Sequence, residues 1–90
     1  MSVEQRITDL VGQLVLSKPS IVGSELLTVH FRNARKEEGV DVAFLSGPLS
    51  GTKITIPAGV TVSLEVSSSA TYRVSGATVQ PVDGDITINP

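Results

Sequence analysis

Residues 53–67 read Lys-Ile-Thr-Ile-Pro-Ala-Gly-Val-Thr-Val-Ser-Leu-Glu-Val-Ser, and they limit the fold more than any other stretch of the chain. Val60, Val62, Leu64 and Val66 alternate with Thr61, Ser63, Glu65 and Ser67. A period of two places the apolar side chains on one face and the polar ones on the other. The segment is therefore expected to be a half-buried antiparallel strand. Pro57-Ala58-Gly59 makes the turn that separates it from a shorter strand over residues 53–56.

The same alternation recurs on both sides. Over residues 24–32, Leu27, Val29 and Phe31 face one way and Leu26, Thr28 and His30 the other. Over residues 40–45, Val40, Val42 and Phe44 point inward. With the polar loop 33–39 between them, these two strands read as a hairpin with a long charged tip. Residues 46–52 and 67–69 read as loops. Tyr72 and Val74 mark a short strand ended by Gly76, and residues 77–82 another, which Pro81 assigns to a sheet edge. Asp83-Gly84 has the composition of a two-residue hairpin turn before a last strand over residues 85–89.

The N-terminus reads differently. Val3, Ile7, Leu10, Val11 and Leu14 fall on one stripe at helical period. Ser2 and Gln5 have the spacing of a capping box, and Lys18-Pro19 stops the run. The expected fold is mainly β: a small antiparallel β-sandwich, Ig-like or jelly-roll-like, of about seven strands, with one short N-terminal helix. Residues 1–18 would form a helical arm, 19–23 a linker and 24–90 the sandwich. No βαβ alternation occurs, so a parallel sheet is not expected.

The chemistry is sparse. The chain of 90 residues has no cysteine, which excludes a disulfide framework and a thiolate metal site. The missing disulfides favour a reducing compartment. A net charge of −2 and a total of three aromatic residues (Tyr72, Phe31, Phe44) argue against a nucleic-acid or sugar-stacking surface. No signal peptide is legible, and the apolar piece at residues 10–16 is interrupted by Gly12 and Gln13, far short of a membrane span. His30 is the one histidine, and no acid lies at a spacing that predicts contact with it. No Gly-x-Ser-x-Gly elbow accompanies the serines. Asp83-Gly84-Asp85 lacks the later ligands of a calcium loop, and Gly47 and Gly51 do not form a phosphate loop. No catalytic, cofactor-binding or metal-binding residue is expected, nor a small-molecule substrate; the chain reads as a non-enzyme.

What remains is contact with protein. The helical stripe of Val3, Ile7, Leu10, Val11 and Leu14 can pack on its own sheet or on a neighbour. Arg35 and Lys36, beside Arg32 and followed at once by Glu37 and Glu38, form either a solvated tip or a charge-complementary contact. A core almost wholly of Val, Ile and Leu is marginal for so small a β-domain, so a homo-oligomer or docking on a larger surface is expected.

The short arm-like N-terminus, the cysteine-free sandwich and the Ile56-Pro57-Ala58-Gly59-Val60-Thr61-Val62 turn resemble small tailed-phage virion proteins of the head-decoration or cement type. That resemblance implies a virion protein, assembled in the host cytoplasm, that binds the major capsid protein or another virion protein and staples neighbouring subunits. No family site residue is matched. Two other readings stand beside it: an Ig-like or carbohydrate-binding adhesion module, and a head–tail neck or tail adaptor.

Overall fold

The computed structural model describes residues 1–90 as two packed β-sheets without a helix. Nine strands follow in order: β1 (Ser2–Leu10), β2 (Gln13–Leu16), β3 (Ser20–Ser24), β4 (Leu27–Asn33), β5 (Val40–Phe44), β6 (Lys53–Ile56), β7 (Thr61–Val66), β8 (Ala70–Ser75) and β9 (Val82–Asn89). One sheet has the order β2-β1-β4-β7 and the other β3-β9-β8-β5-β6. The alternation expected for β4 and β5 holds: Leu27, Val29, Phe31, Val40, Val42 and Phe44 are all buried.

The all-β sandwich is as expected, but its N-terminal third is not. No helix forms over residues 1–18. The inward positions of β1 are Val3, Gln5 and Ile7, and those of β2 are Leu14 and Leu16. Gln5 occupies one apolar slot, and the Val11-Gly12 turn resets the parity; together they disguise a period of two as one of 3.6. The expected linker at 19–23 largely becomes β3, pairing parallel to β9 from Ser20↔Asp85 to Ser24↔Asn89.

Hairpins expected from adjacency are also absent. β4 and β5 lie in different sheets, as do β6 and β7, so loops 34–39 and 57–60 cross the sandwich. Earlier crossings, at residues 17–19 and 25–26, take the chain through β3 and return β4 to the first sheet in the same direction as β1, giving a second parallel pair with register Ser2↔Thr28 to Ile7↔Asn33. Residues 77–81 are loop, with Gln80 in a single bridge to Gln13. Asp83-Gly84 is no turn: both lie inside β9. Gly84 is there because the Tyr72 ring lies across it; a Cβ at position 84 would sit 2.5 Å from the phenol oxygen.

The core turns on that ring. Tyr72 meets Phe31 edge-on at 5.3 Å between centroids and Phe44 at 5.9 Å. Its hydroxyl accepts from Gln5 Nε2 at 2.7 Å, across from one sheet to the other. Gln5 Nε2 also donates to the Lys18 carbonyl, and its Oε1 accepts from Lys18 N at 2.9 Å. One buried amide thus ties β1, β8 and the crossing from β2 to β3. Burial pushes the Tyr72 phenol up to about 12, against the pull of the Gln5 bond and with a smaller push from the Asp85 charge.

Candidate interaction site at the loop end

The β1–β2 turn and loops 34–39, 57–60 and 76–81 lie at one end of the sandwich. Arg35 organises three of these four segments. Asn33, the last residue of β4, is fully buried and donates from Nδ2 to the Ile56 and Glu38 carbonyls (2.9 and 3.0 Å). Its Oδ1 accepts from Arg35 N at 2.9 Å. This turn points the Arg35 side chain inward. Its Nε donates to Asp9 Oδ2 at 2.9 Å, Nη2 to Glu38 Oε2 at 2.7 Å and Nη1 to the Gly39 carbonyl at 3.2 Å. The guanidinium packs so close to Gly76 that a Cβ there would lie 2.7 Å from Nη1. Arg35 is 5% exposed in its side chain, whereas Asp9 and Glu38 are 45% and 47% exposed. The cation is sealed and its partners keep one side in water.

Above this hub opens a cleft of about 750 Å³, lined among others by Thr8, Asp9, Arg35, Glu37, Glu38 and Thr78. Beside it stands the β1–β2 turn. Val11 (φ 50) and Gly12 (φ 77) both lie in the left-handed region. With Leu10 opposite Gln13, this is a two-residue type I′ hairpin turn. That turn favours Asn-Gly; a β-branched residue there is a steric outlier. Val11 is 97% exposed and Leu10 68%. Thr78 also has positive φ (65), but its hydroxyl donates to the Ala77 carbonyl at 2.6 Å and reaches Glu38 Oε2 at 3.4 Å. Val11 has no such compensation.

The seven contact residues expected from sequence separate here. Ile7 and Leu14 are core, Val3 packs against the core, and Arg35 is a buried tie rather than a free charge. Leu10, Val11 and Lys36 remain at the surface, all at the loop end. Asp9 and Thr78 were not legible, because their contacts with Arg35 and Glu38 span 26 and 40 residues; Glu38, three residues from Arg35, stood in the charge run but not as its ion-pair partner.

His30 does have a partner, contrary to expectation. Its Nδ1 lies 2.6 Å from Ser63 Oγ on the neighbouring β7. Glu4 stands beside it in register on β1, and no ion pair joins them. The row Glu4–His30–Ser63 crosses the open outer face of the first sheet, away from the cleft.

No protein-family model and no curated protein matches the chain in sequence. Its fold matches solved structures. A point mutant of amicyanin, in its reduced Cu(I) form at pH 4, superposes with a TM-score of 0.69 at 18% identity, covering 98% of this chain and 82% of that one. A multicopper oxidase superposes with a TM-score of 0.59 at 14% identity, covering 99% of this chain and 42% of the oxidase. At such identities the likeness is one of fold: a cupredoxin-like sandwich in place of the expected Ig-like or jelly-roll form. It overturns the resemblance to phage head-decoration proteins, and with it the capsid-stapling function and its adhesion-module and adaptor alternatives.

The residues present do not suit copper. A blue-copper centre takes two histidines and a cysteine, with a weak axial ligand such as methionine. This chain has no cysteine and one histidine. Its one methionine, Met1, is 75% exposed, and His30 Nδ1 is engaged by Ser63. No three His, Cys, Asp or Glu side chains converge.

Proposed function

We propose that this chain is a non-enzymatic recognition module whose loop end inserts Leu10 and Val11 into an apolar pocket of a partner protein. Val11 carries the proposal. A β-branched side chain at positive φ costs about 1–2 kcal/mol, and at 97% exposure it returns nothing to the core. Strain at an exposed turn tip is a reason to look for function there. The Arg35 ties hold the loops around the tip in place, which lowers the ordering cost of binding.

The surroundings select the kind of partner. Asp9, Glu37 and Glu38 line the cleft beside the tip. Arg35 and Lys36 share that lining, and Arg35 pairs with Asp9 and Glu38, so the cleft is close to neutral; it offers no cationic surface for nucleic acid or anionic lipid and suits a protein pocket with a mixed polar rim. No cofactor takes part, and the Ser63–His30 pair has no role in catalysis, because it lies on an open face with no enclosing wall.

Site-directed photocrosslinking in the native host tests this. A photoreactive residue at position 11 is expected to trap one protein, and Leu10→Asp is expected to abolish the adduct. The same probe at Val22, also exposed at 64% but on β3, is expected to trap none. Equal trapping at both positions, or lipid adducts alone, would overturn the proposal.

A further inference from the structure

The sandwich has four sheet edges, and three are guarded. β2 is covered by Gln80, whose carbonyl accepts from Leu14 N at 3.1 Å and whose N–H donates to the Gly12 carbonyl at 2.8 Å. β6 has four residues and begins with Lys53. β3 has five residues, includes Gly23 and follows Pro19. Short length, lysine, proline and covering loops are the usual devices against edge pairing. β7 has neither lysine nor proline, and the 46–52 loop reaches only its C-terminal end, at Glu65 and Val66. The strand runs for six residues, Thr-Val-Ser-Leu-Glu-Val, free of Gly as well.

The ladder shows which groups are free. Thr28 N donates to Met1 O on the β1 side, whereas Asn33 N donates to Val60 O on the β7 side. Odd residues of β4 therefore bond β7, and the register Leu27↔Val66 to Phe31↔Val62 gives their partners as the even residues of β7. The N–H and C=O groups of Thr61, Ser63 and Glu65 point away from the sheet. Along the same edge Val60 is 40% exposed, and Val62 and Leu64 are only partly buried.

We infer that β7 pairs with β7 of a second copy of this chain, antiparallel, about a two-fold axis at Ser63. That register satisfies every outward group: Ser63 faces Ser63 of the partner subunit, and Thr61 and Glu65 exchange bonds reciprocally. On the inner face Val62 meets Leu64 of the partner subunit, so the partly buried centre of the row is covered, while Val66 is already buried within its own chain. No like charges are apposed, since each Glu65 faces a threonine. The strand is self-complementary, as an isologous interface requires. The result is one continuous sheet of eight strands, β2-β1-β4-β7 and its symmetry copy. The interface stands apart from the Val11 tip, so each can fail alone.

Sedimentation over a concentration series, with Ser63 variants, tests it. The unmodified chain is expected to show a monomer–dimer equilibrium. Ser63→Lys places two cations face to face on the outer surface and is expected to weaken dimerisation about tenfold or more, with no more than a small change in the melting temperature measured at dilution, where the chain is monomeric. Thr61→Lys, opposite Glu65 of the partner subunit, is expected to tighten it. The chain has no cysteine, so Ser63→Cys is expected to give a disulfide-linked dimer on mild oxidation. Directly opposed residues of a hydrogen-bonded pair sit about 5.5 Å apart at Cα, within disulfide range. Val22→Cys is expected to give no disulfide-linked dimer. A wild-type chain that is monomeric at its highest soluble concentration, a dimer that Ser63→Lys leaves intact, or equal cross-linking at positions 22 and 63 would overturn the inference.

Discussion

Gln5 and Arg35 are both buried polar side chains that tie together segments far apart in sequence, yet they seal to different degrees. Gln5 is fully buried, and it bonds to Tyr72, Ser17 and Lys18. It is neutral, and its loss leaves polar groups stranded among core side chains. Arg35 is charged, and the carboxylates it holds, Asp9 and Glu38, are about half exposed. Those acids rehydrate if the cation is removed. The sandwich is thus rigid at Gln5 because it must fold, and rigid at Arg35 because it presents a surface. Breaking the first cluster should unfold the chain; breaking the second should loosen one end.

The largest effect is expected at the first. Tyr72→Ala removes the ring at the centre of the aromatic trio, opens a cavity over Gly84 and deprives Gln5 of a partner. The cost should be about 3–5 kcal/mol, against a total stability of roughly 5–15 kcal/mol. Denaturant melts check it: the variant should be largely unfolded or lose most of its midpoint. A loss as small as that of an exposed substitution would mean that the ring is not central.

Alkaline titration reads the same cluster more gently. The Tyr72 phenol is raised from its ordinary 10.0 to about 12 in the folded chain, so folding favours its neutral form. Its contribution is therefore intact below pH 10 and is lost as pH rises through 12. A shift of this size corresponds to about 2–3 kcal/mol, order of magnitude. Denaturant midpoints taken through that window should fall steeply, and Tyr72→Phe should flatten the fall. An equally steep fall in the phenylalanine variant would assign it to other groups.

Arg35→Met tests the second cluster. It removes charge-assisted bonds to Asp9 and Glu38 while keeping bulk over Gly76. Hydrogen bonds to charged groups contribute about 1.5–3 kcal/mol when both partners are buried. With two half-exposed acids the loss should sit at or below the lower end of that range. Amide exchange should quicken in loops 34–39 and 76–81 and stay slow in β4 and β8. Uniform acceleration would mean that the hub belongs to the core after all.

The legibility of these clusters in sequence follows from the distance over which their bonds act. The alternating runs of β4 and β5 announce themselves, because each strand carries its own pattern. Pairing partners do not, because they depend on where the chain crosses between sheets, and loops 34–39 and 57–60 look like hairpin turns. β1 was masked by one residue: Gln5 occupies an inward position, and without it Val3 and Ile7 fit a helix as well as a strand. β3 was masked by Pro19 and Gly23. In β9 a signal was present: Val82, Gly84, Ile86 and Ile88 keep a period of two, and a glycine in an inward slot marks close approach rather than a turn. Of the loop-end site, Leu10, Val11 and Lys36 were found through a helical stripe and a charge run that the fold does not use in that way. Asp9 and Thr78 carry no local pattern at all, and Glu38 stands in the same charge run as Lys36.

The smallest effect should have the opposite sign. Val11 is 97% exposed at φ 50 in a type I′ turn. Asparagine tolerates that conformation and is the favoured partner of the following Gly12. Val11→Asn therefore removes strain and gives up almost no buried surface, so the chain should gain about 1 kcal/mol. For a domain of this size that is a rise of roughly 4–8 °C in melting temperature. The same variant should lose the photocrosslinked partner when the probe is moved to Leu10, because asparagine cannot fill an apolar pocket. A more stable chain that no longer binds would mean that the turn trades stability for recognition, which the Gln5–Tyr72 pair cannot do because both side chains are fully buried. A drop in melting temperature would mean instead that Val11 rests on something within its own chain and that its exposure is not a signal of binding.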